Sequence, residues 1–497
     1  MSDDILPPGS PLTVGRRGLL VAGGLGALGA AAIAGATPAE AAPVDLGPST
    51  TRAGKKLQFS GGKFKIIQFN DTQDDHLTDK RTVQTMERII DDEHPDFVVI
   101  NGDVITGGPR SLYQVKQALN NVVLPMESRR IPWAVTFGNH DEDSFSASGV
   151  DEAEMLDFYR SYDYNLNGPN IDGLTGTSNT HLIIESGQGG APAYGIWLID
   201  SGRYAPGRIA GQDFTGYPTW DWVRMDQVAW YRDESTRVEQ ELGRKLRGLL
   251  FQHIALWEHR FMWWGGVDTR GSGAAARGKS RHGIVGERNE DECPGPFNSG
   301  LFSAILERGD VDGVFVGHDH VNSYLGNYYG VRLGYSPGTG FGTYGLSGSD
   351  RNRLRGGRVF DITEDDGDTS WTSEVRFASE FGIDLTANDQ PMPAFLLPEE
   401  IGSGKVGVQV RLARPEARPG DKVTVRSLIT GAGNNATGWV VVFVDGVPQT
   451  RIDLAKGRAD LEITVPDDAS GELGIEVAYG GDKASAATTG TARLRVR

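Results

Sequence analysis

From Phe64 onward the chain alternates short apolar runs with longer stretches of helical periodicity. Phe64-Lys65-Ile66-Ile67-Gln68-Phe69 reads as a mostly buried strand. Between residues 82 and 92, apolar side chains fall at Val83, Met86, Ile89 and Ile90, the spacing of one helix face. His94-Pro95-Asp96 ends that helix, because proline cannot continue it. Phe97-Val98-Val99-Ile100 is continuously apolar, as expected of a strand buried on both faces. Residues 112–126 return to helical spacing and 133–137 to a strand. A long, charge-rich helix is predicted over 225–246, with further strands at 249–251 and 314–316. Strand–helix alternation of this kind argues an α/β core.

The texture changes near residue 400. Residues 386–403 hold three prolines and little periodicity, and read as a linker. Beyond it, two-residue alternation dominates, at 406–410, 422–427, 439–444, 459–465, 474–478 and 492–496. Short strands separated by Gly, Asp and Asn predict a small all-β, immunoglobulin-like sandwich over 404–497. The likeness is architectural only, since one cysteine cannot make the Cys-Trp-Cys signature of true immunoglobulin domains.

At the front, Arg16-Arg17 precedes a Gly/Ala-rich apolar run, and Ala39-Glu40-Ala41 follows as a cleavage site. This order predicts a twin-arginine export signal over residues 1–41, then a linker over 42–62 and the α/β domain over 63–385. The rival reading, a membrane-spanning helix, is weakened by the glycines in the run. The expectation is a bacterial protein that is secreted or held in the cell envelope, with no membrane span after cleavage. Gly24-x-Gly26-x-x-Gly29 matches a dinucleotide fingerprint, but no strand precedes it. Gly340-x-Gly342-x-x-Gly345 matches again and opens no amphipathic helix. Neither is a cofactor loop.

Composition narrows the partners. In 497 residues, Asp plus Glu outnumber Lys plus Arg by 66 to 49, a net charge of -17. That excludes the broad basic face of a nucleic-acid binder. The single cysteine, Cys293, excludes intrachain disulfides and Cys-rich zinc sites, and nothing marks it as a nucleophile.

Candidate chemistry gathers where the strands end: Asn70-Asp71-Thr72-Gln73, Gly102-Asp103, Gly138-Asn139-His140-Asp141, Gln252-His253 and Gly317-His318-Asp319-His320. Ligands of α/β sheets bind at the carboxyl ends of strands, so five such ends converge on one crevice. Singly, a strand-end Asp is more often a turn residue and a strand-end His more often structural. Together they offer oxygen and nitrogen donors without thiolate, which suits Mn, Fe or Zn.

This ordered set resembles the calcineurin-like metallophosphoesterases over about residues 63–363, and in particular their purple-acid-phosphatase-like branch. His94-Pro95-Asp96, Pro132-Trp133, Asp200-Ser201-Gly202 and Asn298-Ser299-Gly300 add to the likeness. The resemblance implies a four-layer αββα sandwich with two metal ions, divalent or trivalent, at the strand ends. It implies that Asp71 and His320 bind the first metal and Asp103 bridges both. Asn139, His253 and His318 would bind the second. His140 would face the phosphate as proton donor, oriented by Asp141. One ligand departs from the pattern: Gln73 stands where the family has histidine, a neutral and weaker donor. Thr106 replaces the tyrosine that colours the purple enzymes, so no tyrosinate–iron centre is expected. His76 is a possible substitute ligand if its loop curls back.

The implied chemistry is hydrolysis of small phosphate mono- or diesters. Two cations about 3.5–4 Å apart supply hydroxide at neutral pH and neutralise phosphoryl oxygens, while His140 assists the leaving oxygen. The competing reading is a non-catalytic surface-binding or scaffold protein with a decayed metal site, its C-terminal domain contacting a surface or another protein. Among the remaining residues, His94 and His181 read as structural, and His259 as pocket-lining or superficial. Arg203 and Tyr204 are candidate substrate contacts. The polar, glycine-rich stretch 262–298 reads as a long binding loop or lid.

Overall fold

The computed structural model describes residues 49–216, 220–266, 273–431 and 435–497. The export signal expected over 1–41 lies outside the described residues. The strand β1 (Lys63–Phe69), the helix α1 (Lys80–Glu93), β2 (Phe97–Asn101), α2 (Leu112–Glu127) and β3 (Trp133–Thr136) follow the sequence pattern closely. The side chain of Asp79 caps α1 by accepting from the backbone N–H of Arg81, and left-handed His94 closes it. Ser111 caps α2 through the N–H of Gln114.

β1, β2 and β3 pair in parallel. β1 also pairs antiparallel with Gly356–Asp365, which leads to Asp368–Phe377 at the edge of this five-stranded sheet. A second sheet of six strands has a parallel centre: Pro192–Leu198, Gly248–Phe251, Val311–Val316 and Val331–Tyr335. The strands Thr180–Glu185 and Leu325–Tyr328 flank it antiparallel.

Side-chain alternation along β1 explains how these sheets stack. Phe64 and Ile66 pack with Phe97, Val99, Leu198, Leu249, Phe251 and Phe315 in a core between the two sheets. Ile67 and Phe69 point the other way, into a core shared with α1 and α2. A third core lies between the second sheet and the helices Met225–Leu242, Trp257–Trp264 and Leu301–Arg308. The result is a mixed α/β, helix–sheet–sheet–helix arrangement whose central strands are buried on both faces. That is why they read as unbroken apolar runs.

Two expectations change here. The helix predicted over 225–246 stops at Leu242, where left-handed Gly243 caps it. The stretch 262–298, read as a structureless loop, contains the end of Trp257–Trp264 and a further helix, Ala274–His282.

The C-terminal region is made of strands only. Gly407–Leu412, Lys422–Thr430 and Arg458–Thr464 form one sheet. Trp439–Val444, Val447–Asp453, Gly471–Tyr479 and Thr488–Val496, with the short Glu416–Ala417, form the other. Their inward residues, among them Val423, Val425, Val442, Ile463, Val477 and Leu494, share one core. The segment 386–403 runs along α1 and α2: the Arg81 guanidinium donates to the carbonyls of Thr386 and Asn388, and the Asn121 side chain accepts from the Phe395 N–H. Among the described residues, no helix is long and apolar enough to cross a membrane.

Candidate active site

The carboxyl ends of the parallel strands in both sheets meet at one place. Asp71 follows β1, Asp103 follows β2, and residues 138–141 follow β3. His253 and His318 follow the strands Gly248–Phe251 and Val311–Val316. The two sheets are tied together here: the Asn101 side chain donates to the Gln252 carbonyl at 2.9 Å, and the His318 N–H donates to the Asp71 carboxylate at 3.2 Å. Four of these strand-end residues hold a left-handed backbone without being glycine: Asp71 (φ 50°), Gln73 (28°), Asp103 (52°) and His318 (71°). Such conformations are uncommon and cluster at functional sites. Gly138 permits the convergence, since a Cβ there would lie 2.3 Å from Asp103 Oδ1.

Two overlapping groups of donors result. Asp103, His253 and His318 place ligand atoms within 4.8 Å of one another, and so do Asp71, Asp103 and His320. Asp103 belongs to both. His253 Nε2 lies 3.1 Å from Asp103 Oδ2 and 3.7 Å from Asp71 Oδ1; His320 Nε2 lies 3.3 Å from Asp71 Oδ1. His253 Nδ1 sits 2.9 Å from the Asn101 carbonyl, which turns Nε2 inward. All five side chains are buried.

The carboxylates and imidazoles compensate one another's charge. Burial alone opposes ionised Asp71 and Asp103, yet His320 and His253 hold both carboxyls below the usual range. Burial lowers His253 as well, but Asp103 and Asp71 outweigh it and hold its imidazole at about 10. Burial and the charge on His253 press His318 down to about 3. Asp103 Oδ2 and His253 Nε2 face each other as an ion pair, while His318 Nε2 and both amide atoms of Asn139 are buried without a hydrogen bond. Buried polar atoms without partners are costly. Metal ions shared among these carboxylate, imidazole and amide donors would satisfy them, so the residues fit a metal centre.

Gln73 is drawn elsewhere in part: its Oε1 accepts from the Thr343 hydroxyl at 2.7 Å. His76 sits against Gln114 of α2, with 3.3 Å between Nε2 atoms, and belongs to neither donor group.

His140 stands at the edge of the centre. Its backbone N–H donates to Asp103 Oδ1 at 2.8 Å, and its Nδ1 lies 2.5 Å from Asp143 Oδ2. Burial lowers its pKa, but Asp143 and Asp103 more than compensate and hold it above the ordinary histidine value. The partner expected for this imidazole, Asp141, does something else. Its carboxylate accepts from the backbone N–H groups of Gly138, Val104, Asp103 and Ile105, at 2.7 to 3.3 Å. It fixes the loops that carry the donors. Burial and the charge of Asp103 push its carboxyl up to about 7.

Tyr204 reaches His140, and Arg203 reaches its neighbours Asn139, Glu142 and Asp143. Arg203 pairs with Glu142 and Asp143 at 2.8 and 3.0 Å and donates to the Asn139 carbonyl at 3.2 Å. The Tyr204 hydroxyl lies 3.2 Å from His140 Nδ1. His259 does not lie on the surface: it is fully buried with its ring edge-on to Tyr335, and burial lowers it to about 4. His94 caps α1, and His181 stacks on Trp197 at 3.6 Å. Burial and Asp319 push the Cys293 thiol well above its usual pKa, the opposite of an activated nucleophile. Sequence reasoning missed Asp143, Trp220 and Tyr344. Asp143 alone left a signal there, a carboxylate three residues past His140.

A family model for calcineurin-like phosphoesterases matches residues 64–322. Among curated proteins, the chain is 29% identical over 328 residues to probable inactive purple acid phosphatase 14 of Arabidopsis thaliana, covering 59% of this chain and 75% of that protein. It is 29% identical over 349 residues to probable inactive purple acid phosphatase 29 of the same plant, covering 61% and 79%. It is 26% identical over 301 residues to phosphatase DCR2 of Saccharomyces cerevisiae, covering 56% and 47%.

Proposed function

The chain belongs to the calcineurin-like phosphoesterase family, and from that premise we propose that it is a metal-dependent hydrolase of small phosphate esters. The observation that carries this reading is the pair of buried donor groups sharing Asp103, with His318 Nε2 and the Asn139 amide left without hydrogen bonds. Asp71 and His320 would hold one ion, His253, His318 and Asn139 the other, and Asp103 both. Bound there, Mn, Fe or Zn supplies Lewis acidity toward the phosphoryl oxygens and activates water. The chain's own groups do the rest. Asp141 keeps the Asp103 and Asn139 loops in place by accepting four backbone N–H hydrogen bonds. His140, held by Asp143, delivers a proton to the departing alcohol oxygen. Arg203 fixes Asp143 and the Asn139 carbonyl.

A second reading has its own support. Gln73 replaces an imidazole and shares its oxygen with Thr343, and two relatives carry "inactive" in their names. On that reading the centre is decayed and the protein is a surface-binding scaffold. Metal analysis of the purified protein, with aryl phosphate mono- and diester assays on the same samples, separates the two. About two ions per chain, with chelator-sensitive turnover that His140→Ala abolishes, is the expected result. No metal and no turnover after adding Mn, Fe or Zn would favour the scaffold. The phosphoesterase reading includes twin-arginine export with cleavage after residue 41 and an immunoglobulin-like C-terminal domain; N-terminal sequencing of exported protein tests the cleavage.

A further inference from the structure

Three imidazoles of the site each carry an aromatic neighbour from a loop outside the sheets. Tyr344 stacks on His320, with ring centroids 4.0 Å apart and planes 16° from parallel, and its hydroxyl donates to Glu290 at 3.0 Å. On the other flank, Tyr204 stands edge-on to His140 at 6.2 Å, and Trp220 edge-on to His318 at 4.6 Å. A backbone bridge joins residues 204 and 220 and holds their rings 5.7 Å apart at a tilt of 33°. The two rings therefore make one shelf running from His140 to His318. Tyr204 is 38% exposed and Trp220 half-buried, and neither belongs to the cores beside the sheets. Apolar ring area left open beside a reacting centre is binding surface rather than packing.

On the phosphoesterase reading, on which this inference rests, His140 serves the oxygen of the departing alcohol. The carbon on that oxygen then lies beside His140, and the body of the alcohol beside the shelf. The geometry points to a phosphate ester whose leaving group carries an uncharged, planar aromatic ring that stacks on Tyr204 and Trp220. The local charge balance favours an uncharged ring. The Arg203 guanidinium lies 5.5 Å over the Tyr204 ring, but Glu142 and Asp143 already neutralise it, so it has no charge to spare for an anionic leaving group. Flatness follows from the partner. A planar ring gains offset stacking on an indole, whereas a puckered ring of equal size gains only buried area.

The test compares benzylphosphonate with cyclohexylmethylphosphonate, which match in charge and nearly in size and differ in flatness. Their C–P bond resists a phosphoesterase, so affinity is read without turnover. Titration calorimetry on the full-length, metal-loaded protein should find the benzyl compound tighter by about fivefold. The ratio should fall toward unity in Trp220→Leu and stay intermediate in Trp220→Phe. Equal affinities in the unsubstituted protein, or a ratio that survives Trp220→Leu, overturn the shelf and leave the phosphoesterase reading standing. Binding of neither compound, together with no hydrolysis of benzyl phosphate, overturns both.

Discussion

His140 owes its raised pKa to Asp143, three residues away, and to Asp103, rather than to the adjacent Asp141. The Asp143 N–H donates to the His140 carbonyl at 2.9 Å, so the chain turns there and brings residue 143 back to the imidazole. Asp141 is directed instead into four backbone N–H groups. The motif made the donors legible because each follows a recognisable strand. The turn after it has no apolar pattern to read, and so the dyad was hidden. Asp143→Asn should lower kcat by about 10- to 100-fold with metal content unchanged, as for groups that orient others at a metal site. Asp141→Ala should instead reduce bound metal, because the loops presenting Asp103 and Asn139 lose their common acceptor. Metal analysis and kcat on both variants check this; a metal-depleted Asp143→Asn protein would remove the distinction. Gln73→His is expected to tighten metal retention against a graded chelator, since imidazole is the stronger donor. Unchanged retention would mean that residue 73 does not face an ion.

At the scale of elements, the buried strands and the first two helices were legible from period alone. The helix Ala274–His282 was not, because the face it buries consists of Ala274, Gly278 and His282. That face has helical spacing but almost no hydrophobicity. Its small residues serve close packing: a Cβ on Gly278 would stand 2.0 Å from the Trp263 carbonyl oxygen. The contact between α2 and β3 makes a titratable prediction. The Glu127 carboxylate accepts from Trp133 Nε1 at 2.7 Å and from the Tyr164 N–H at 2.9 Å, yet burial pushes its pKa up to about 7. In the unfolded chain a glutamate ionises near 4.3. Between those values the folded protein keeps a proton that the unfolded chain has lost, so this group's contribution to stability falls as pH rises through the window. Glu127→Gln keeps an acceptor for both donors and removes the titration. Its stability relative to the unsubstituted protein should therefore improve by about 3 kcal/mol between pH 4 and pH 8. Denaturant unfolding at the two pH values measures this, and a pH-independent difference would contradict it.

For the whole molecule, the change of texture near residue 400 was visible in sequence, but the attachment of the C-terminal strands was not. It is made by ion pairs between residues hundreds of positions apart, which leave no periodic trace. Arg451, on the strand Val447–Asp453, pairs with Glu87 of α1 at 2.6 Å and lies 4.7 Å over the Phe395 ring in the connecting segment. Arg129 joins the same cluster through Asp91 at 2.6 Å, and Asp91 also accepts from the Thr450 hydroxyl at 2.6 Å. Nearby, Arg130 pairs with Glu476 at 2.6 Å and covers the Phe443 ring. The side chains of Arg129 and Arg451 are 1% and 10% exposed, so this is a largely dry network. Burial opposes the charge on Glu87, but Arg129 and Arg451 hold its carboxyl below the usual range. Removing one partner from such a network leaves a charge without its counterpart, at a cost of about 3 kcal/mol. Because Glu87 lies on the helix that follows the Asp71 loop, the strands-only region is expected to unfold together with the α/β core in one transition. Arg451→Ala should divide that transition in two, with the C-terminal strands melting first. Calorimetry decides it: two transitions in the unsubstituted protein would show that the network is decoration, whereas one that splits on substitution makes the C-terminal region part of the scaffold behind the candidate active site.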